Sequence, residues 1–298
     1  MRVGSGSERT ESVVDDAGDM GVIGAILTLT KFATSNDAVD VDVEVQLEAG
    51  GPWRAIQRGR EPLEDNRYPL LDPRHLTAEK FAARINFRTH TGGLDAAVVD
   101  DLGGVAVQAQ VLTLCSIAEG LHRRLFASGG KRVKALSDRK IAKIRRSVRE
   151  AALGELDGTD FAEEDRDEFC RAITEAFAHI NEQTFRSRMS DLLLDAQRTI
   201  PSLGAGFADW PGALSSARNR LAHQPSAPDS ASDKQFLDLL VALSYSIAWV
   251  LRTNLLNKAG FDVATMREAY GDSSRYGHHL ANTRMLLAGG PWAADVNH

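Results

Sequence analysis

The sequence predicts a mainly α protein, a helical bundle preceded by a small β-rich N-terminal region. Two observations carry this. The hydrophobic period changes along the chain, from an alternation of two in the first third to long apolar stretches of helical length from about residue 105 onward. Glycine and proline fall between these stretches and divide the second part into helices joined by short connections.

The first nineteen residues are polar and acidic, with Glu8, Glu11, Asp15, Asp16 and Asp19, and read as a disordered tail or as the product of a start placed upstream of Met20. A secretory leader would instead put positive charge before an apolar run. The run Val22 to Leu29 is too short to span a bilayer, so the expectation is a cytoplasmic protein with no membrane partner. Within residues 20–103 the clearest strand is Val39, Val41, Val43, Val45 and Leu47 alternating with Asp40, Asp42, Glu44, Gln46 and Glu48, ended by Gly50-Gly51-Pro52. Val22 to Phe32 and Phe81 to Arg88 are weaker strand signals, and Pro62, Pro69 and Pro73 mark loops. Gly92-Gly93 and Gly103-Gly104 bracket a linker.

Helices are expected over Val105 to Ser128 and from a Ser137 cap to about Leu153. A third runs from about Asp160 to Thr199, a fourth from Phe207 to Gln224, and a fifth from Ala231 to Lys258, stopped by Gly260. A short sixth covers Val263 to Tyr270. The expected division is a tail at 1–19, a β-rich region at 20–103, a helical bundle at 104–270 and a C-terminal tail at 271–298.

The 298 residues are 43% hydrophobic, enough for a sizeable core, and the formal net charge of −6 argues against a generic polyanion binder. Cys115 and Cys170, the only cysteines, lie in apolar or helical stretches and read as buried thiols of a reducing compartment. No CxxC or clustered His/Cys pattern proposes a metal site, and no cofactor is expected. His278-His279 are adjacent, so on a helix they point apart and read as surface residues.

Charge is unevenly placed. Arg123, Arg124, Lys131, Arg132, Lys134, Arg139, Lys140, Lys143, Arg145, Arg146 and Arg149 are opposed only by Asp138, and the next stretch is acidic from Glu155 to Glu168. One reading is two solvated faces that neutralise each other across a helix junction. The other is a phosphate-tracking groove with Arg123, Arg124, Lys140, Lys143 and Arg146 as RNA-binding residues. Phe126 is the single aromatic residue within the basic run, so base stacking is not expected there.

The densest chemistry sits in Arg218-Asn219-Arg220-Leu221-Ala222-His223. Asn219 and His223 are four apart, on one face of a helix. Pro225 disfavours helix at Gln224, which places His223 at a helix C-terminus, where the dipole favours imidazolium while nearby arginine opposes it. An imidazole so balanced suits proton transfer near neutral pH. Arg218 offers a planar fork that matches phosphate oxygens, and Asn219 an amide to orient either group. Together they fit attack of an RNA 2′-hydroxyl on the adjacent phosphate, a reaction whose nucleophile is part of the substrate. The bland alternative is an Arg-Asn pair in a helix with a histidine at its end.

In this setting the segment resembles the HEPN superfamily, whose mark is an arginine with a polar neighbour and, a short helical step later, a histidine, carried in a helical bundle. Ile117-Ala118-Glu119-Gly120-Leu121-His122-Arg123-Arg124-Leu125 is similar to the first-helix signature of the ApeA-type HEPN domain; its Gly120 departs from the usual residue and should cost the helix about 1 kcal/mol relative to alanine. The resemblance covers roughly residues 100–270. It implies a metal-independent endoribonuclease acting in anti-phage defence or as a growth-arresting toxin. Arg218, Asn219 and His223 would be catalytic, and Glu119 an orienting group for Arg218 or His223. It also implies a homodimer with a composite site, RNA as substrate, and an antitoxin or phage-derived trigger as partner. Residues 20–103 would be the remnant of a larger N-terminal domain. A non-catalytic HEPN module that binds RNA or a partner protein is the competing reading. For Glu119 an i, i+4 salt bridge to Arg123 is the structural alternative, and His122 reads as structural.

Overall fold

The computed structural model describes residues 21–34, 43–46, 50–57, 69–91, 94, 105–126, 132, 133, 135–155, 162–223 and 230–294. Its elements are α1 (Gly21–Thr34), β1 (Val43–Gln46), β2 (Trp53–Gln57), a 3-10 turn at Pro73–His75, α2 (Ala78–Thr91), α3 (Val107–Leu125), α4 (Asp138–Gly154), α5 (Glu163–Ala178), α6 (Phe185–Thr199), α7 (Trp210–His223), α8 (Ser230–Lys258), α9 (Val263–Asp272) and α10 (Ser274–Leu287). The fold is mainly α, as the sequence predicts.

α8 is the axis, with α1, α2, α3, α6, α7 and α10 all packing on it. Leu240, Leu243, Ile247, Val250, Leu251, Leu255 and Leu256 lie on its buried faces, each 1% exposed or less. By length and composition α8 is the one helix among the described residues able to cross a bilayer, yet most of that apolar stretch is buried inside the fold, as expected of a helix that is hydrophobic nearly all round. The few polar groups on it are tied down. Asn254 Nδ2 donates to the Leu192 carbonyl of α6 at 3.0 Å, and the Thr253 and Tyr270 hydroxyls lie 2.8 Å apart. Both bonds cross between helices and fix their relative register.

Among the described residues the N-terminal region is mainly helical, which corrects the β-rich expectation for residues 20–103. The expected strand Val22–Phe32 is helix α1. Its buried residues Ala25, Leu29, Phe32 and Ala33 fall at helical spacing, a period obscured in the sequence by β-branched neighbours. The expected strand Phe81–Arg88 lies inside α2, whose buried line is Phe81, Arg84, Arg88 and Thr91. Two arginines on the inner face hid that period. Arg84 is fully buried, and desolvation pulls its guanidinium down to about 10. Only one hairpin is present among the described residues: β1 pairs antiparallel with β2 through Glu44–Ala55, Val45–Arg54 and Gln46–Trp53, turning at Gly50, which takes φ +82°. The remainder of the expected strand at 39–42 and 47, the tail at 1–19 with Met20, the linker glycines and the 103/104 boundary lie outside the described residues. Leu29, Phe32, Leu70, Leu71 and Phe81 share one core with α3, α6, α7 and α8, so the N-terminal helices are part of the bundle wall.

Other elements follow the expected pattern with shifted ends. Ser137 caps α4, its hydroxyl accepting from the Lys140 amide at 3.3 Å. The single helix expected over 160–199 is two, α5 and α6. They break at 179–184, and Thr184 caps the second by accepting from Ser187 N at 3.2 Å. Cys115 is buried and Cys170 half-buried; both are free thiols. Gly120 sits where Leu94 packs on α3: an added Cβ would lie 2.6 Å from Leu94 Cδ1.

The segment expected as a tail after residue 270 instead forms α10, which packs on α8 with Tyr276, His279, Thr283 and Leu287 inside. Trp249 of α8 meets Tyr270 and Tyr276 edge-on, with ring centroids 5.3 and 5.0 Å away. His279 joins this aromatic cluster 6.2 Å from Trp249 and is 9% exposed. The expectation of a surface histidine holds for His278 and fails for His279.

Burial lowers the His279 imidazole from 6.5 to about 4. The unfolded chain then takes up a proton on acidification through 6.5 while the native state refuses it until about 4, so stability is lost as pH falls across that window. His122, lowered by burial in the same direction, adds to the trend. Urea denaturation should show a loss of about 2 kcal/mol from His279 between pH 7 and 5, with His122 adding in the same direction. A His279→Met variant that retains the full slope would show that His279 does not contribute.

Candidate functional site

α7 is set in place from its start. Trp210 is buried and its Nε1 donates to Ser246 Oγ of α8 at 2.8 Å. Asp209 precedes the helix; its Oδ1 accepts from the Gly212 amide at 3.0 Å and its Oδ2 pairs with Arg186 Nη2 of α6 at 2.5 Å. A Cβ at Gly212 would lie 2.0 Å from Asp209 Oδ2, so the glycine makes room for this cap. The approach loop 201–209 is pinned to the chain beyond α10, where Ala208 N donates to Trp292 O at 3.0 Å and Ala294 N to Gly206 O at 2.9 Å. Ala213, Leu214 and Ala217 bury the inner face of α7, leaving Ser216, Asn219 and Ala222 exposed. The helix is described as far as His223, and the expected stop at Pro225 lies outside the described residues.

Arg218 lies between the buried and exposed faces, its side chain 40% exposed. Its guanidinium sits over the Phe185 ring at 4.7 Å and its Nη2 donates to Glu119 Oε2 of α3 at 3.5 Å. Helices α3, α6 and α7 thus meet at one guanidinium, and the expected pairing of Glu119 with Arg218 is present. The Glu119–Arg123 bridge is present as well, at 3.2 Å. A third cation approaches the same carboxylate: Arg188 of α6, with a side chain 3% exposed, places Nη1 3.9 Å from Glu119 Oε1. Arg188 Nε donates to Gln183 O at 3.0 Å, and its Nη2 lies 3.7 Å from Glu182, which also meets Arg123 at 4.0 Å and His179 at 2.6 Å. The His179 contact holds the Glu182 carboxyl below the usual range.

Beside this cluster, buried His122 places Nε2 3.0 Å from Asp191 Oδ2, which also accepts from Gln183 Nε2 at 2.9 Å. His122 stacks on Phe126 at 4.6 Å, and burial outweighs Asp191 in lowering its imidazole below the ordinary value. A neutral, fully enclosed ring of this kind is a packing element, in agreement with the sequence reading. Cys115 lies close enough to feel the Arg218 and Glu119 charges, but burial dominates and pushes its thiol up to about 12.

The structure brings Arg218, Glu119 and Arg123 together, with Asn219 on the adjoining exposed surface. It does not place all the expected basic residues there. Arg124 donates to the Thr91 carbonyl and ties α3 to α2. Lys140, Lys143 and Arg146 are exposed on α4, which packs mainly on α5. The link to the site is indirect, because Arg132 N and Val133 N, ahead of α4, both donate to Asn181 in the turn that carries Glu182, at 2.6 and 2.9 Å. Phe185, Glu182 and Arg188 were missed by sequence reasoning because 160–199 read as unbroken helix. Thr184 just before the periodic residues Met189, Leu192, Leu193 and Ala196 was the available signal. Among the described residues no group of three or more His, Cys, Asp or Glu is placed to hold a metal ion.

A model of the Apea-like HEPN family matches residues 112–265, just over half of the chain. The matched stretch includes α6, α7 and α8 entire and most of α3, the helices that build the Arg218 cluster and its support. The chain belongs to the Apea-like HEPN family. Comparison with curated proteins and with solved structures returns no match.

Arg220 guards the end of α7. It pairs with Asp233 of α8 at 3.4 Å and lies over the Phe236 ring at 4.0 Å. Replacing it by alanine should remove about 1 kcal/mol of local stability and speed amide hydrogen exchange at 220–223 about fivefold, with exchange at Leu214 unchanged. Equal rates in both proteins would show that the last turn is held by other contacts.

Proposed function

We propose that this chain is a metal-independent endoribonuclease of the HEPN type. The observation that carries the reading is Arg218: a partly exposed guanidinium oriented by Phe185 and Glu119, on the helix that bears Asn219 and terminates at His223. In the proposed reaction the substrate's 2′-oxygen bonds to phosphorus as the bond from phosphorus to the 5′-oxygen breaks. His223 takes part in removing the 2′-hydroxyl proton or protonating the leaving 5′-oxygen. Arg218 binds the phosphate oxygens and stabilises the added charge of the five-coordinate state. Asn219 orients the imidazole or the phosphate. A homodimer would set two such motifs together, so that one histidine acts as base and the other as acid.

RNA is the proposed partner, with Arg123 at the rim and Lys140, Lys143 and Arg146 along α4 as sequence-independent phosphate contacts. Arg124 is the weakest of these because its guanidinium already serves Thr91. The proposed setting is cytoplasmic, in anti-phage defence or as a growth-arresting toxin, under control of an antitoxin or a phage-derived trigger.

Purified protein should cleave cellular RNA in EDTA and leave 2′,3′-cyclic phosphate ends. His223→Ala and Arg218→Ala should each lower the rate by about a hundredfold or more. Cleavage that survives both substitutions would place the chemistry elsewhere. RNA binding without cleavage by well-folded wild type would favour the non-catalytic RNA-binding module instead.

A further inference from the structure

We propose that Arg188 is a positioning residue that keeps Arg218 available to phosphate by competing with it for Glu119. The inference rests on the reading of Arg218 as the phosphate-binding group. Glu119 lies within ion-pair distance of three guanidiniums: Arg123 at 3.2 Å, Arg218 at 3.5 Å and Arg188 at 3.9 Å. A carboxylate shared in this way neutralises none of them fully. Arg123 and Arg218 are partly solvated and free to re-aim. Arg188 is not, because its side chain is enclosed, its Nε is engaged by Gln183 O, and its Nη1 is buried without a hydrogen-bond partner beside Glu119. A buried donor left unsatisfied draws an acceptor strongly.

When a phosphodiester claims Arg218, Glu119 must give that guanidinium up. The open Nη1 of Arg188 is where the released carboxylate goes, closing the 3.9 Å gap and satisfying a donor that is unmet in the free protein. Phe185 meanwhile keeps the Arg218 plane in place. Arg188 cannot itself reach a ligand. Two ion-pair contacts, through Glu119, separate it from anything bound to Arg218. Its influence therefore runs through Glu119. Of the other carboxylates nearby, Asp191 is engaged by His122 and Gln183, and Glu182 meets Nη2 of Arg188 at 3.7 Å and leaves Nη1 to Glu119.

The test is binding of a single-stranded 2′-O-methyl RNA oligonucleotide, which has no free 2′-hydroxyl to attack, followed by fluorescence anisotropy with thermal melts as fold controls. Arg188→Met should weaken binding about tenfold, because Glu119 then closes on Arg218. Glu119→Gln should tighten it severalfold, and Arg188→Lys should keep most of the wild-type affinity. In the Glu119→Gln background, Arg188→Met should change affinity by less than about twofold, since the competition is already gone. Equal weakening by Arg188→Met in both backgrounds would mark Arg188 as merely structural and overturn the proposal. Weaker binding by Glu119→Gln would do the same even if Arg188→Met failed to fold. If Arg218→Ala binds the oligonucleotide as well as wild type, the phosphate role of Arg218 falls, and that result is distinct from either of the others.

Discussion

The fold depends on burying a single helix. α8 is apolar on nearly every side, and it is stable in this form only because other helices cover it. α3 and α6 cover it, α7 packs on it from Trp210 at Ser246 to Arg220 at Asp233, and α1, α2 and α10 cover the rest. The Arg218 cluster is assembled from three helices that pack on α8: Glu119 from α3, Phe185 and Arg188 from α6, Arg218 from α7. Their relative placement is a packing outcome, and the site inherits its geometry from the core.

Electrostatics at the site then follow from unequal burial. Arg123 is more than half exposed, Arg218 less so, and Arg188 almost enclosed, all around one carboxylate. Solvent screens the first strongly and the last least. The buried arginine is thus the fixed member of the set, and the exposed ones are the members able to exchange partners. The family resemblance accounts for the motif residues on α7, but it says nothing of Arg188, whose part emerges only from where α6 begins.

Much of the bundle was legible from the residues. Ser137 before a periodic run and the apolar stretch ending at Gly260 act through local rules, and the structure obeys them. Beside the β-branched residues of α1 and the hidden break before α6, what was not legible comes from polar letters on buried faces. α2 hides Arg84 and Arg88 inside, and α10 turns His279 and Thr283 inward, so neither shows a hydrophobic period. Arg188 escaped for the same reason, an arginine standing directly before the buried Met189 and reading as surface. Glu119 and Arg218 were picked out by residue type and likeness to a motif, whereas their meeting across three helices is a long-range contact that no local pattern encodes.

Cys115 adds a property of a different kind. Its thiol is buried against the floor of the Arg218 cluster, and burial holds it in the unreactive protonated form. It becomes chemically competent only in molecules where α3 has parted from its neighbours. The chain therefore carries an internal clock for breathing of its own site: the rate at which a thiol reagent modifies Cys115 counts how often that floor opens, with no probe attached and no residue changed.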